Sequence, residues 1–458
     1  MKKSDYIDNF KDKKITMMGL GLLGRGVNVA KFLAECGAEL VITDLKNKKE
    51  LADSLDKLKK YKNIEYVLGR HRLGEFEGRD MIIKAASVPK KSKYLDRARQ
   101  EGTPIEMDAS LFARLAPEDI TLIGVTGTRG KSTVTHLVHD ILKESGERVH
   151  LGGNIKGQAT LPTLKSVKSE DYVVLELDSW QLQGFGESKI SPDYAVFTNL
   201  MEDHQDYYKN MREYFKDKAN IFLYQQPEDY LIATESSFKA IQKYYGERAA
   251  EKVKGTMAMA KPKILLDDYK IQLVGEHNRQ NVAAAVQLAD LLRIDSSVSK
   301  RAVANFKPLD GRLQYVRKIL SRSIYNDNNS TTPDATVAAI KSLQDELEKG
   351  ENITLIMGGS DKGLDTTELE RVVKRYVKNV ILIPGTGTDQ IRFKLYDDDK
   401  LNIDETDTAY EALQLALEEM SSPGDAILFS PAFASFDQFS NEYEREEAFL
   451  DAIEDLKR

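Results

Sequence analysis

The sequence contains one cysteine, Cys36, among its 458 residues. A single cysteine excludes an intramolecular disulfide and any metal site built from several thiolates. No apolar run approaches the roughly 20 residues that a membrane-spanning helix needs, and residues Met1–Asp8 are too polar for a signal peptide. An excess of positive charge is also absent, because the formal net charge is −7. We therefore expect a cytoplasmic protein that binds no nucleic acid and does not insert into membranes.

The most informative motif stands between a predicted strand and a predicted helix, Lys131–Glu144. It reads Thr126-Gly-Thr-Arg-Gly-Lys-Ser-Thr133, and we call it the phosphate loop. Glycines let backbone N–H groups close around an anion, and the start of a helix adds free N–H groups and a positive dipole. The pattern predicts a nucleotide site in which Lys131 reaches the terminal phosphates and one of the next two hydroxyls holds Mg²⁺.

A second glycine motif lies near the N-terminus. Gly19-Leu-Gly-Leu-Leu-Gly24 follows the predicted strand Lys14–Met18, and Asp44 ends the next predicted strand about 20 residues further on. This GxGxxG pattern favours a phosphate at a helix N-terminus. It does not identify the bound molecule, so a nicotinamide dinucleotide stays open, as does a role in packing a strand against a helix.

Polar side chains follow two predicted strands of the central region. Glu176 ends an apolar strand, where its carboxylate is well placed for Mg²⁺. The segment Thr198–His204 follows the next strand and gathers an amide, two carboxylates and the imidazole of His204. The combination favours a metal or substrate role for His204. Lys218 lies on a predicted helix, where the ordinary interpretation is a solvated surface lysine.

The length of the chain predicts several domains, because one hydrophobic core stops growing at about 250–300 residues. Strand and helix patterns alternate in three successive regions, which indicates an α/β fold. We expect a Rossmann-like domain at residues 1–115, a central P-loop-type ATPase domain with a mostly parallel sheet at 116–306, and a C-terminal Rossmann-like domain at 307–458.

Taken together, these motifs resemble the Mur ligases, the ATP-dependent amide-forming enzymes of peptidoglycan precursor synthesis. The phosphate loop is similar to the ATP loop of that family, a narrower pattern than the common P-loop, since Val125 stands where that loop has glycine. The early GxGxxG motif and the segment Ser430–Phe439 are similar to the branch of the family that adds D-glutamate. The resemblance covers nearly the whole chain and implies that the first domain binds a UDP moiety rather than NAD.

The resemblance also implies substrates, cofactors and site residues. The substrates are UDP-N-acetylmuramoyl-L-alanine and D-glutamate, the cofactors are ATP and Mg²⁺, and the protein is a monomer. The implied ATP-binding residues are Gly127, Thr128, Arg129, Gly130, Lys131, Ser132, Thr133, Asn278, Asn281, Arg312 and Asp327. The implied residues for the UDP substrate are Gly21, Leu22, Leu23, Asp44, Leu45, Lys46, Asn154, Gln181 and His204. Those for D-glutamate are Thr331, Lys362, Ser435 and Phe436. The implied metal ligands are Ser132, Glu176, His204 and Lys218 as a carbamate, and the implied catalytic residues are Lys131, Glu176, His204 and Lys218.

Three positions depart from the pattern of the family. Asn329 stands where a lysine is frequent, Asp178 stands where a serine is frequent, and Glu446 stands where the C-terminal motif usually ends in glycine. These changes alter the charge near the expected reacting groups and leave the ATP–Mg²⁺ residues in place.

Three other interpretations stay open at this point. The first is a ligase of the same type that adds a different amino acid, or a folylpolyglutamate-type ligase. The second is an NAD(P)-dependent oxidoreductase built on the GxGxxG motif and Asp44, which leaves the phosphate loop unexplained. The third is a non-catalytic nucleotide switch.

Overall fold

The computed structural model describes residues 6–204, 207–420 and 422–456. Three β-sheets organise this part of the chain, which confirms the predicted α/β class. The chain packs as two compact units. The first unit contains the described residues within the ranges 6–201, 210–267 and 281–302. The second unit contains the described residues within the ranges 202–209, 268–280 and 303–456.

Two parallel sheets lie in the first unit. One has the order β3-β2-β1-β4-β5, with β1 Lys14–Met18, β2 Glu39–Asp44, β3 Ile64–Leu68, β4 Met81–Lys84 and β5 Ile105–Glu106. The other has the order β11-β10-β9-β6-β8-β7, with β6 Thr121–Thr126, β7 Val149–Gly153, β8 Tyr172–Glu176, β9 Tyr194–Phe197, β10 Tyr230–Ala233 and β11 Thr256–Met259. In both sheets a central strand is followed by a glycine turn and a helix.

The third sheet lies in the second unit and has the order β12-β13-β17-β14-β15-β16. Its strands are β12 Gln314–Ile319, β13 Arg322–Asn326, β14 Ile353–Gly358, β15 Val377–Ile383, β16 Asn402–Glu405 and β17 Ala426–Ala432. Only the β12–β13 pair is antiparallel among these described strands.

Helices connect the parallel strands, as right-handed crossovers require. Those of the first unit are Arg25–Glu35, Ala52–Asp56, Lys93–Gln100, Asp108–Leu115, Lys131–Glu144, Ser179–Ser188, Met211–Ala219, Glu235–Tyr245, Ala249–Lys252 and Pro262–Leu265. The helix Ser296–Asn305 begins in the first unit and ends in the second. Those of the second unit are Pro333–Gln344, Thr367–Tyr376, Thr386–Tyr396, Ala409–Leu415 and Glu442–Asp455. The helix Glu276–Leu291 contributes residues to both units. Short 3₁₀ turns span Leu73–Phe76, Leu161–Lys165 and Gly246–Arg248, and a π turn spans Ala416–Met420.

Alternation along the strands builds the cores. In β14, Leu355 and Met357 contribute to the apolar cluster on one face of the third sheet, and Ile356 contributes to the cluster on the other face. Both faces are covered by helices, so β14 is buried throughout. Within the described residues, none of the helices is both long enough and apolar enough to cross a lipid bilayer.

We expect Phe449→Ala to destabilise the second unit by about 3–5 kcal/mol, because it empties a buried site in the core. Phe449 is fully buried and its ring stacks on that of Phe429 with centroids 4.2 Å apart. Urea unfolding followed by circular dichroism measures the change. Phe393→Ala is the matched control, since Phe393 is 74% exposed in the same unit. We expect this change to alter the free energy of unfolding by no more than about 0.5 kcal/mol. Equal effects of the two changes would contradict this account of the core.

Candidate active site

The phosphate loop begins where β6 ends and is shaped by two glycines. Gly127 and Gly130 have φ angles of 148° and 81°, and the helix starts at Lys131 as predicted. A Cβ added to Gly127 would lie 1.9 Å from Thr198 Oγ1, and one added to Gly130 would lie 2.2 Å from Asn281 Oδ1. Both positions therefore require glycine for close packing as well as for backbone conformation. The same contact places the predicted site residue Asn281 against the loop.

Two lysines bind the backbone of this loop. Lys131 Nζ donates to the carbonyl oxygens of Gly127 and Thr128 at 3.1 and 3.0 Å. Lys218 Nζ donates to the same Gly127 oxygen at 2.7 Å and lies 4.7 Å from the centroid of the Tyr214 ring. Lys218 is only 1% exposed, so the interpretation of this residue as a solvated helix lysine is wrong. The structure brings the two lysines together at one peptide group.

The residues that follow β9 hold the loop from the other side. Thr198 Oγ1 donates to the Arg129 carbonyl at 2.6 Å. Asn199 Oδ1 accepts from the Arg129 N–H at 2.8 Å, and the Asn199 carbonyl accepts from the Thr128 N–H at 3.0 Å. We did not predict Thr198 or Asn199 as site residues. Their position directly after a strand that neighbours β6 was the signal that could have identified them.

Glu176 lies at the end of β8, which neighbours β6, and it is buried. Its carbonyl accepts from the Asn154 N–H at 2.7 Å, so two predicted residues meet here. Ser132 and Thr133 open the helix after β6 and are also buried. In the described residues no group of three or more His, Cys, Asp or Glu side chains could hold a metal by itself. A carboxylate and a hydroxyl that follow neighbouring strands suit Mg²⁺, which binds through few protein ligands plus phosphate oxygens.

The GxGxxG turn is held by Asp44. Asp44 Oδ2 accepts from the N–H groups of Leu20 and Gly21 at 2.8 and 3.1 Å, and Oδ1 accepts from the Lys46 N–H at 2.9 Å. The carboxylate therefore fixes the shape of the turn. The leucines at positions 22, 23 and 45 are at least half exposed around it. They give this turn an apolar rim that a flat ring can cover.

Asn154 and Gln181 are held by neighbours from other elements. Arg25 Nη2 donates to Asn154 Oδ1 at 2.9 Å. Asp178 accepts from the Gln181 N–H at 2.7 Å, and Gln181 Oε1 accepts from the Asp178 N–H at 3.2 Å. This reciprocal pair is a capping box at the start of the helix Ser179–Ser188. Aspartate and serine are both strong N-caps, so Asp178 keeps the capping role that a serine could fill at this position.

The second unit gathers the residues predicted for D-glutamate at the carboxyl ends of its central strands. Thr331 follows β13, Lys362 follows β14 and Ser435 follows β17. Lys362 Nζ donates to Thr331 Oγ1 at 3.1 Å and lies 3.9 Å from Asp203 Oδ1. Ser435 is buried and Phe436 is exposed. All four predicted residues, with Phe436 next to Ser435, thus lie on the loops that follow these three strands.

Four further predicted residues belong to the same unit. His204 has a left-handed φ of 55° and its Nε2 lies 3.7 Å from Asp203 Oδ2. Asn278 Nδ2 donates to the Val274 carbonyl at 2.8 Å. Asp327 is buried and accepts hydrogen bonds at both oxygens. Burial raises the pKa of Asp327, and these hydrogen bonds and Arg312 offset part of that rise.

The departures at positions 329 and 446 converge on Gly311. A Cβ added to Gly311 would lie 2.7 Å from Glu446 Oε1 and 2.8 Å from Asn329 Nδ2. Asn329 Nδ2 donates to the Asp310 carbonyl at 3.1 Å, and Glu446 Oε1 accepts from Asn326 Nδ2 at 3.0 Å. The two substitutions therefore pack beside one glycine and form hydrogen bonds with neighbouring amides. This explains how the fold accommodates the altered charges.

Several known proteins that resemble this chain are Mur ligases. The family model of the Mur ligase middle domain matches residues 125–289. The UDP-N-acetylmuramoylalanine–D-glutamate ligase of Borreliella afzelii is 35% identical in an alignment 457 residues long. The alignment covers 96% of this chain and 97% of the relative. The ligase of the same name from Roseiflexus sp. is 33% identical, with coverage of 96% and 98%. The crystal structure of UDP-N-acetylmuramate-alanine ligase MurC from Thermotoga maritima has a similar fold, with a TM-score of 0.63, 17% identity and coverage of 97% and 100%.

We expect Asp327→Asn to remove a pH dependence of stability that the wild type has between about pH 4 and pH 6. Burial raises the pKa of Asp327 from 3.8 to about 6. Between these values the folded chain keeps a proton that the unfolded chain has lost, so the wild type loses stability as the pH rises. Relative to the asparagine variant, the wild type loses at most about 3 kcal/mol of its free energy of unfolding, and this loss is complete above pH 6. Urea unfolding at several pH values measures it, and parallel curves for the two proteins would refute it.

Proposed function

This chain belongs to the Mur ligase family, and on that premise we propose that it joins D-glutamate to UDP-N-acetylmuramoyl-L-alanine with conversion of ATP to ADP and phosphate. The observation that carries the proposal is the phosphate loop, whose glycines, helix start and two lysines are the groups that binding of a nucleoside triphosphate requires. Relatives that carry this activity in their names match almost the full length of the chain.

The reaction needs ATP because a carboxylate does not condense with an amine at neutral pH. Its leaving group would be an oxide. The alanyl carboxylate attacks the γ-phosphorus of ATP, the bond to ADP breaks, and an acyl phosphate forms. The amine of D-glutamate then attacks the acyl carbon, loses a proton, and expels phosphate through a tetrahedral intermediate. The protein contributes mainly by positioning and by neutralising charge.

The first unit contributes the groups that receive the triphosphate. Lys131 and Lys218 both bind the Gly127 carbonyl, and a phosphate at the loop offers Lys131 a charged acceptor in place of a neutral one. Ser132 and Glu176 fit Mg²⁺, which when bound neutralises the triphosphate and favours attack by a second anion. We carry over from the family the roles of His204 and of carbamylated Lys218 as further metal ligands.

The turn that follows β1 is the proposed site of the UDP moiety. Its backbone N–H groups at positions 20 and 21 face Asp44, and its exposed leucines flank the start of the helix Arg25–Glu35. Asn154 and Gln181 are proposed to face the sugar. In the second unit, Lys362, Thr331 and Ser435 are proposed to bind the carboxylates of D-glutamate, with Phe436 at the rim. We propose a cytoplasmic monomer, as in the rest of the family.

We expect Lys131→Ala to lower kcat by roughly 100- to 1000-fold, because it removes a preorganised cation from the transferred phosphoryl group. Release of phosphate with ATP, Mg²⁺, UDP-N-acetylmuramoyl-L-alanine and D-glutamate measures the rate. Lys143→Ala is the control, because Lys143 is an exposed lysine in the last turn of the same helix. An active Lys131→Ala variant would refute the assignment of this loop as the catalytic ATP site.

The identity of the added amino acid is tested by phosphate release with single amino acids. We expect turnover with D-glutamate, since the pocket offers one cation and two hydroxyls to a dianion. Turnover with another amino acid, such as L-alanine, in the absence of turnover with D-glutamate would assign the chain to a different branch. Binding of NADH without ATP-dependent phosphate release would instead support the oxidoreductase interpretation. Binding of ATP without any turnover would support a nucleotide switch.

A further inference from the structure

A buried guanidinium lies beneath the loops of the second unit. Arg445 belongs to the helix Glu442–Asp455 and is 1% exposed. Its Nε donates to Asn328 Oδ1 at 2.8 Å, its Nη2 donates to the Asn328 carbonyl at 3.0 Å, and its Nη1 donates to the Phe433 carbonyl at 3.0 Å. All three acceptors are neutral. Among the described residues, no carboxylate lies within ion-pair distance of this guanidinium.

The acceptors belong to two loops that carry residues of the proposed amino-acid pocket. Asn328 precedes Thr331 on the loop after β13, and Phe433 precedes Ser435 on the loop after β17. The loops also touch each other, because the Ala432 N–H donates to the Ser330 carbonyl at 2.9 Å. Arg445 therefore links two segments that are more than 100 residues apart in the sequence.

The third loop of the pocket packs on the same group. A Cβ added to Gly359 would lie 3.4 Å from Arg445 Nη1, and Ser360 and Ala434 exchange two backbone hydrogen bonds of 2.8 and 3.0 Å. Lys362 follows on this loop. The guanidinium thus lies where the loops after β13, β14 and β17 meet.

Burying this charge without a carboxylate is unfavourable for the fold. Burial lowers the pKa of Arg445 to about 10, and the charge of Glu442 offsets only part of that shift. A buried cation ordinarily needs an anionic partner in direct contact. An apolar side chain of similar size would avoid this cost. What it could not supply is a planar set of donors that binds two loops at once in a fixed geometry.

We propose that Arg445 is the positioning residue of the amino-acid pocket, and that it fixes the distance between Thr331 on one loop and Ser435 on the other. Its guanidinium does not reach the solvent, so it acts through these loops and does not touch the substrate. The inference rests on the proposed function, because it concerns how the ligase binds an acidic amino acid. It adds a role for a residue whose partners are two main-chain carbonyls and one amide.

Kinetics of three variants test the proposal, once wild-type protein shows phosphate release that depends on D-glutamate. Arg445→Met removes the donors and the charge, and Arg445→Lys keeps the charge but loses the planar fork. We expect both to raise the KM for D-glutamate by roughly 10- to 100-fold, since a misplacement of about 1 Å has effects of that size. Asn328→Ala removes only the acceptor of Nε, and we expect a smaller rise in the same KM.

The KM for UDP-N-acetylmuramoyl-L-alanine separates positioning from a general loss of structure. Most of its proposed ligands lie in the first unit, so we expect that KM to stay within about twofold in all three variants. Arg317→Met is the matched control. It removes the 3.1 Å ion pair of Arg317 with Glu454 near the other end of the same helix, and it should leave the KM for D-glutamate unchanged.

The possible failures are distinguishable. Wild-type protein without D-glutamate-dependent turnover would refute the proposed function itself. With turnover established, an unchanged KM for D-glutamate in Arg445→Met would overturn the inference. A wild-type KM for D-glutamate in Arg445→Lys would also overturn the inference, because the positive charge alone would then be enough to position the loops. Should Arg445→Met fail to fold, an unchanged KM in Asn328→Ala overturns the inference equally.

Discussion

The crowding of the chain around Gly127 is the constraint on which the nucleotide site depends. The carbonyl of this residue accepts hydrogen bonds from Lys131 and Lys218, and the absence of its side chain lets Thr198 approach the loop. The two ammonium groups therefore meet at one main-chain oxygen. An anion-binding loop with its cations already in place loses little further freedom when a triphosphate arrives, which is the physical meaning of preorganisation here.

In the second unit a buried network of hydrogen bonds fixes the loops that carry candidate site residues. Asp327 accepts from the Leu313 N–H and from Ser430 Oγ, and Ser430 in turn donates to Thr336. This network and the hydrogen bonds of Arg445 join the ends of β13 and β17. In both units many of the candidate site residues lie at the carboxyl ends of central parallel strands, which is where α/β sheets ordinarily bind ligands. A rigid sheet thus positions short loops that belong to distant parts of the sequence.

The alternation of strands and helices and the local motifs were within reach of the sequence, and burial of charged groups was not. The helix after the phosphate loop begins at Lys131 as the glycine and hydroxyl pattern predicts. Only the resemblance assigned Lys218 to the site, because its own residue pattern indicated a solvated surface lysine, although Tyr214, Phe215 and Ala219 form a buried stripe on the same face of its helix. Pattern analysis treats a lysine as a break in such a stripe, because lysines are rarely buried without a partner. Arg445 carried no local signal, since its acceptors lie on other loops.

What the sequence by itself determined is local: the conformation of the glycine turns, the start of each following helix, the capping of the helix Ser179–Ser188 by Asp178, and the alternation that buries β14. These depend on neighbours within a few residues, and short-range sterics and hydrogen bonds decide them. Only the tertiary structure decided that Lys218 reaches Gly127, that Asn329 and Glu446 meet at Gly311, and that Arg445 spans two loops. Those contacts join residues far apart in the chain, and their geometry follows from the order of strands in each sheet rather than from any local pattern.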